Sequence, residues 1–142
     1  FTALSYVWGD ESIREAITIN GVETSITKLL AEALRQLRSE GKAQNLWADA
    51  ICINQCDGAE KGIHVGKMGQ IYSSAARTYL WLGEKSDSSD QAMDLVENAT
   101  EERVKNFDPQ AAEWRGLYDL LRRPWWSRLW IIQESVLSPE PI

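Results

Sequence analysis

Short runs of apolar residues alternate with amphipathic stretches through the first half of the chain. Phe1 to Trp8 (FTALSYVW) is aromatic and apolar and stops at Gly9-Asp10, which predicts a buried strand followed by a turn. The polar loop Gly9-Asp10-Glu11-Ser12 then sits at a strand's carboxyl end, where open parallel sheets bind ligands. Ala16-Ile17-Thr18-Ile19 and Val22-Glu23-Thr24-Ser25-Ile26 flank Asn20-Gly21. Asn-Gly supplies the positive φ angles of a tight turn, so a small hairpin is predicted over 17–26. Thr27 is placed to cap a helix running to about Glu40, with Leu30, Ala33, Leu34 and Leu37 on one face and Gly41 as its stop.

Asn45 to Ile53 (NLWADAICI) predicts a second buried strand over 46–51, leading into the polar turn Asn54 to Gly58. Asp57 with Glu60 three residues on resembles a capping box. The helix it opens should turn Val65, Met68, Ile71, Tyr72 and Ala75 inward and Gly62, Gly66 and Gly69 away. Each glycine costs a helix about 1 kcal/mol relative to alanine, so this one is weak or closely approached by another backbone. Arg77 to Gly83 (RTYLWLG) predicts a third strand, at 78–82. Beyond the polar Ser86 to Asp90, Gln91 to Phe107 predicts a helix with Met93, Val96 and Val104 as apolar positions. After Pro109 a last amphipathic face, Trp114, Leu117, Tyr118 and Leu121, ends at Arg122-Arg123-Pro124. Strands alternating with helices predict an α/β layer architecture around a short, mainly parallel sheet.

Composition narrows the function classes. At 142 residues the chain fits one domain with a substantial core, and 44% hydrophobic with 25% charged residues is ordinary for a globular protein. A net charge of −6 argues against a phosphate-backbone-binding surface and hence against nucleic acid. Seven tryptophans point to an aromatic pocket, a bulky core or an adhesive interface. No apolar run approaches the roughly 18 residues of a membrane span. Cys52 and Cys56 are too few for a disulfide scaffold, which predicts reduced thiols in the cytoplasm. A chain that starts at Phe1 without Met reads as a piece of something longer.

The candidate chemistry lies in Arg128-Leu129-Trp130-Ile131-Ile132-Gln133-Glu134-Ser135-Val136-Leu137, which sets one carboxylate within large apolar side chains. In a helix, the four-residue spacing puts Glu134 on the same face as Trp130. Glu134 is then either a charge that reaches solvent or pairs with Arg122, Arg123 or Arg128, or a functional carboxylate in an aromatic-walled pocket. Asp49, the acid that interrupts the apolar run 45–53, either caps a loop or points into a site at the strand end. Cys52, Cys56 and His64 lack a fourth ligand for zinc, and no metal is expected.

Four segments carry a family resemblance. They are Ala3-Leu4-Ser5-Tyr6-Val7-Trp8-Gly9; Leu46 to Gln55; Met68, Ile71-Tyr72 and Ala75 with Trp81-Leu82-Gly83; and Arg123-Pro124-Trp125-Trp126-Ser127-Arg128-Leu129-Trp130-Ile131-Ile132-Gln133-Glu134. In order and spacing they resemble the fungal heterokaryon-incompatibility (HET) domain across nearly the whole chain. That resemblance implies an effector domain of regulated cell death, attached to other domains of a receptor-like protein and triggered in allorecognition or innate immunity. The family is in turn distantly similar to the TIR domain, which implies a TIR-like three-layer fold with a hairpin insertion and additional C-terminal helices. By the same resemblance Trp130 and Glu134 match the helix in which a tryptophan precedes the catalytic glutamate of enzymatic TIR domains. This implies an NAD glycohydrolase, with NAD as substrate and no bound cofactor. The chain departs from TIR domains at Ile131, where a small residue or cysteine is common, and by an insertion from about Ser86 to Trp125.

The implied chemistry is economical in catalytic groups. The leaving pyridinium becomes neutral as it departs, so little acid catalysis is needed, and one fixed carboxylate can stabilise an oxocarbenium-like ribose. Trp8 and Trp130 are candidates to stack on nicotinamide or adenine, and the Gly9 to Ser12 turn to approach the sugar-phosphate part. Glu134 is expected in one cleft with Trp8, Gly9, Asp10, Ser12, Asp49 and Trp130. The alternative is a non-enzymatic module that relays a death signal by self-association. Any catalysis is expected to need assembly, with a partner ordering the glycine-bearing helix.

Overall fold

The structure is a computed structural model and describes residues 1–38, 45–106 and 108–142. Along the chain run β1 (Thr2–Ser5), β2 (Arg14–Ile19), β3 (Val22–Thr27), α1 (Lys28–Arg38), β4 (Leu46–Trp47), α2 (Asp49–Cys52), α3 (Gly58–Gly66) and α4 (Met68–Ser74). There follow β5 (Arg77–Leu80), α5 (Ser89–Glu97), α6 (Glu101–Lys105), α7 (Ala112–Leu121), a 3-10 turn (Pro124–Ser127) and α8 (Ile131–Val136). The architecture is α/β. The chain divides into two compact units, Phe1–Gly83 with Arg128–Ile142, and Glu84–Ser127.

In the first unit β1 is the middle strand of a parallel sheet ordered β4-β1-β5, with Ala3 opposite Trp47 and Thr78. Strand geometry sends successive side chains to opposite faces. Leu4 and Tyr6 join Ile26, Leu30 and Ala33 in one core, while Ala3 packs with Met68, Tyr72 and Ala75 in a second. The sheet therefore lies between a layer containing α1 and one containing α4. Glu140 and Ile142 extend it, accepting and exchanging backbone hydrogen bonds with Thr78 and Leu80 along β5.

The hairpin pairs Arg14 with Thr27 through to Ile19 with Val22, and Asn20 and Gly21 both take the predicted positive φ, 52° and 80°. Arg35 of α1 pairs with Glu15 of β2 and ties the hairpin to the helix. Leu30 and Ala33 are buried as their spacing predicts, whereas the expected helix end at Glu40 and Gly41 lies outside the described residues.

Three expectations need correction. The predicted strands end early: that from Phe1 to Trp8 stops at Ser5, that over 78–82 at Leu80, and that over 46–51 at Trp47. Asp49 opens a helix instead, its carboxylate accepting the Ala50 N–H at 2.8 Å while Cys52 N–H bonds to Ala48 C=O, because an acid at a helix start satisfies the free N–H groups there. The helix from Asp57 is two helices that meet at Lys67. Asp57 caps α3 through Ala59 and Glu60, but Glu60 reaches back to Asn54 N–H rather than to Asp57, and Val65 is exposed.

The third correction falls in the second unit. The helix predicted over 91–107 breaks into α5 and α6, with Thr100 recapping the chain at Arg103, and Phe107 lies outside the described residues. Met93, Val96 and Val104 are exposed; Ala92 and Leu95 are buried instead. On α7, Tyr118 and Leu121 are likewise exposed while Gly116 and Leu120 are buried. A Cβ at Gly116 would lie 2.5 Å from the Ser88 carbonyl oxygen. Small residues set this packing because they let the backbones approach.

Candidate functional site

Beyond β1 the chain passes through Val7 and Trp8 and turns at Gly9, whose φ is +73°. A Cβ there would meet Leu29 Cδ1 of α1 at 2.7 Å, so both conformation and space require glycine. Trp8 and Gly9 form one wall of a cleft of about 370 Å³. Asp49 and Lys61 line it from α2 and α3, and Arg128, Trp130 and Glu134 from the C-terminal segment. Five of the seven predicted site residues, Trp8, Gly9, Asp49, Trp130 and Glu134, therefore share one cavity.

Glu134 stands one helical turn after Trp130, its N–H bonded to the Trp130 carbonyl at 3.1 Å. Its carboxylate is only 1% exposed. The Arg128 guanidinium grips it with both arms, Nη1 to Oε2 and Nη2 to Oε1, each at 2.8 Å. The Ser5 hydroxyl of β1 also donates to Oε2. Of the readings weighed for Glu134, the structure shows the pair with an arginine, and both partners line the cleft. A buried carboxylate needs such a partner, since an uncompensated ion in a low-dielectric interior is strongly disfavoured. Tyr72, whose hydroxyl donates to Leu4 C=O, has its ionisation pushed well up by burial and then by the charge of Glu134.

Asp49 caps no loop: it is the first residue of α2, and its side chain lines the cleft. One oxygen accepts the Ala50 N–H and the other the Trp8 indole N–H at 2.9 Å. The Lys61 ammonium lies 5.9 Å from the centre of the Trp8 ring, within cation–π range. The indole is thereby oriented by an acid at its edge and a cation at its face. Burial, followed by the charge of Asp49, also raises the ionisation of Tyr6.

Asp10 and Ser12 do not join the cleft. Both are exposed, and Ser12 turns its N–H and hydroxyl onto Asp10 Oδ1 at 2.8 and 2.7 Å. These bonds hold the Asp10 carboxyl below its ordinary value. The loop thus satisfies its own polar groups instead of presenting them to the cavity.

Ser5 and Lys61 were not anticipated as site residues, and Arg128 only as one of three possible partners. Ser5 carries a faint signal, the small polar residue two positions from Ala3 in an aromatic strand, which period-two alternation sends to the Ala3 face. Lys61 carries none, since its role comes from where α3 is set down. Cys52 and Cys56 are exposed and free. Among the described residues no group of three His, Cys, Asp or Glu side chains is placed to hold a metal ion, and no helix is long and apolar enough to cross a membrane.

Comparison with known proteins agrees with the motifs. No solved structure matches the chain. Heterokaryon incompatibility protein 6, OR allele, of Neurospora crassa is 29% identical over 190 aligned residues, which take in all of this chain and 28% of that protein. The chain therefore spans under a third of the length of this relative. The model of the family described as heterokaryon incompatibility protein matches residues 1–134, from β1 through Glu134 itself, and the chain belongs to the heterokaryon incompatibility family.

Proposed function

We propose that this chain is the effector part of a longer fungal incompatibility protein, and that its cleft cleaves NAD at the nicotinamide–ribose bond with Glu134 as the catalytic carboxylate. One observation carries the proposal: Glu134, held by Arg128, is among the residues that line the same cavity as two indoles and Asp49. In the reaction the bond from the anomeric carbon to the pyridinium nitrogen breaks, its electron pair leaves with nicotinamide, and that ring becomes neutral. Water adds to the anomeric carbon and gives up a proton. Glu134 stabilises the positive charge that builds on the ribose, and a fixed, buried carboxylate does this better than solvent. Trp8 and Trp130 offer faces for the two flat rings of the substrate. Two exposed free cysteines fit a reducing cytoplasm.

A second reading, a self-associating relay without catalysis, is favoured by the outer surface of the C-terminal segment. Leu129, Ile132 and Val136 are 79%, 63% and 72% exposed. The two readings are compatible if assembly activates the cleft, and activity per molecule then rises with concentration. Expression in a fungal host separates them. Catalysis predicts that Glu134→Gln abolishes both NAD depletion and killing at unchanged protein level. Killing that survives Glu134→Gln but is lost with Ile132→Glu establishes the relay.

A further inference from the structure

The closed grip of Arg128 on Glu134 has a consequence for which ligand the cleft admits. A carboxylate that is 1% exposed, with both oxygens held by one guanidinium, touches no ribose until that guanidinium moves. A ligand in the cleft can reach Arg128, whose side chain is 19% exposed and lines the cleft together with Lys61. The cleft thus contains two cations, Lys61 and Arg128, and two carboxylates, Asp49 and Glu134. An anion alone attracts Arg128 but strands Glu134 without a counter-charge, and a cation alone has to displace a bidentate partner. A ligand carrying both charges satisfies both ends at once.

We infer that the cleft opens by ion-pair exchange with a zwitterionic nucleotide. The diphosphate of the ligand takes over Arg128, assisted by Lys61, while its pyridinium replaces the guanidinium beside Glu134. This rests on the NAD reading above and adds a selectivity to it: oxidised, positively charged dinucleotides open the clasp, and reduced, neutral ones do not. Arg128 is then a positioning residue that shields Glu134 at rest and binds phosphate when it yields. The phosphate contact comes from α3 and the C-terminal segment, not from the Gly9 to Ser12 turn.

The test uses the carbocyclic analogue of NAD, which resists cleavage, in its oxidised and reduced forms, with inorganic pyrophosphate as a third probe. Binding to the chain is followed by calorimetry. The exchange predicts that wild type binds the oxidised form about tenfold or more tightly than either the reduced form or pyrophosphate. In Glu134→Gln the preference between the two forms falls to within about threefold, because the charge that read the pyridinium is gone. Lys61→Ala, an exposed position, weakens both forms alike. Equal affinity of wild type for the two forms, a preference that persists in Glu134→Gln, or no binding of any probe overturns the inference. The comparison of probes on wild type stands even if the Glu134 variant does not fold. Nicotinamide release from NAD is measured in parallel. Charge preference without release refutes cleavage and leaves the exchange standing, and release without charge preference refutes the exchange alone.

Discussion

At the scale of single residues, the buried ion pair of Arg128 and Glu134 invites a test of what holds it in place. Removing one partner of a buried pair leaves the other charge uncompensated, at a cost of about 3–5 kcal/mol. Arg128→Ala should therefore lower stability in urea unfolding by about that amount, and the combined Arg128→Met, Glu134→Leu variant should recover most of it. A loss under about 1 kcal/mol in the single variant would show that Glu134 does not depend on Arg128. Asp10 gives a contrasting case. Its folded pKa lies below the ordinary 3.8 because Ser12 donates two hydrogen bonds to it. A depressed carboxyl contributes stability that is present above the unfolded value and is lost as pH falls through the folded one. Ser12→Ala should return the Asp10 titration, followed by NMR, toward 3.8, and should leave ligand binding in the cleft unchanged because neither residue lines it. Residue spacing places Trp130 and Glu134 one turn apart, as the structure has them, while Trp8 and Gly9 lie beyond the end of β1 and still reach the same cavity. Arg128 was not separable from Arg122 and Arg123, because the choice among three arginines depends on a tertiary approach that no local pattern encodes.

At the scale of elements, the hairpin was the most legible part, since Asn20-Gly21 dictates its own geometry and sets the register of both strands. Faces in the second unit were misread for a physical reason. Large apolar residues such as Met93, Val96 and Tyr118 mark the obvious stripe, yet Ala92 and Gly116 are the positions at which helices can close together. The same distinction applies to the glycines of the α3–α4 region. A Cβ at Gly69 would come within 3.2 Å of Leu137, whereas nothing lies within 4 Å at Gly62 or Gly66. Gly62→Ala and Gly66→Ala should each stabilise α3 by up to about 1 kcal/mol, read as a raised melting temperature. If either destabilises the isolated chain, the open space assigned to that face is wrong.

At the scale of the whole molecule, the sheet order β4-β1-β5 brings the ends of β1 and β4, far apart in sequence, to one cleft. The polar turn after β1 was expected to line that cleft, but Asp10 and Ser12 stay outside while Trp8 and Gly9 line it, and β4 proved much shorter than its apolar run. The most direct measurement is nicotinamide release from NAD by the purified chain, made at high protein concentration to allow for assembly, with Glu134→Gln beside it. The account predicts release by wild type and a loss of about two or more orders of magnitude in the variant, the scale of removing a main electrostatic stabiliser from a transition state. No release by a folded wild type under those conditions, or equal release by folded Glu134→Gln, would contradict it.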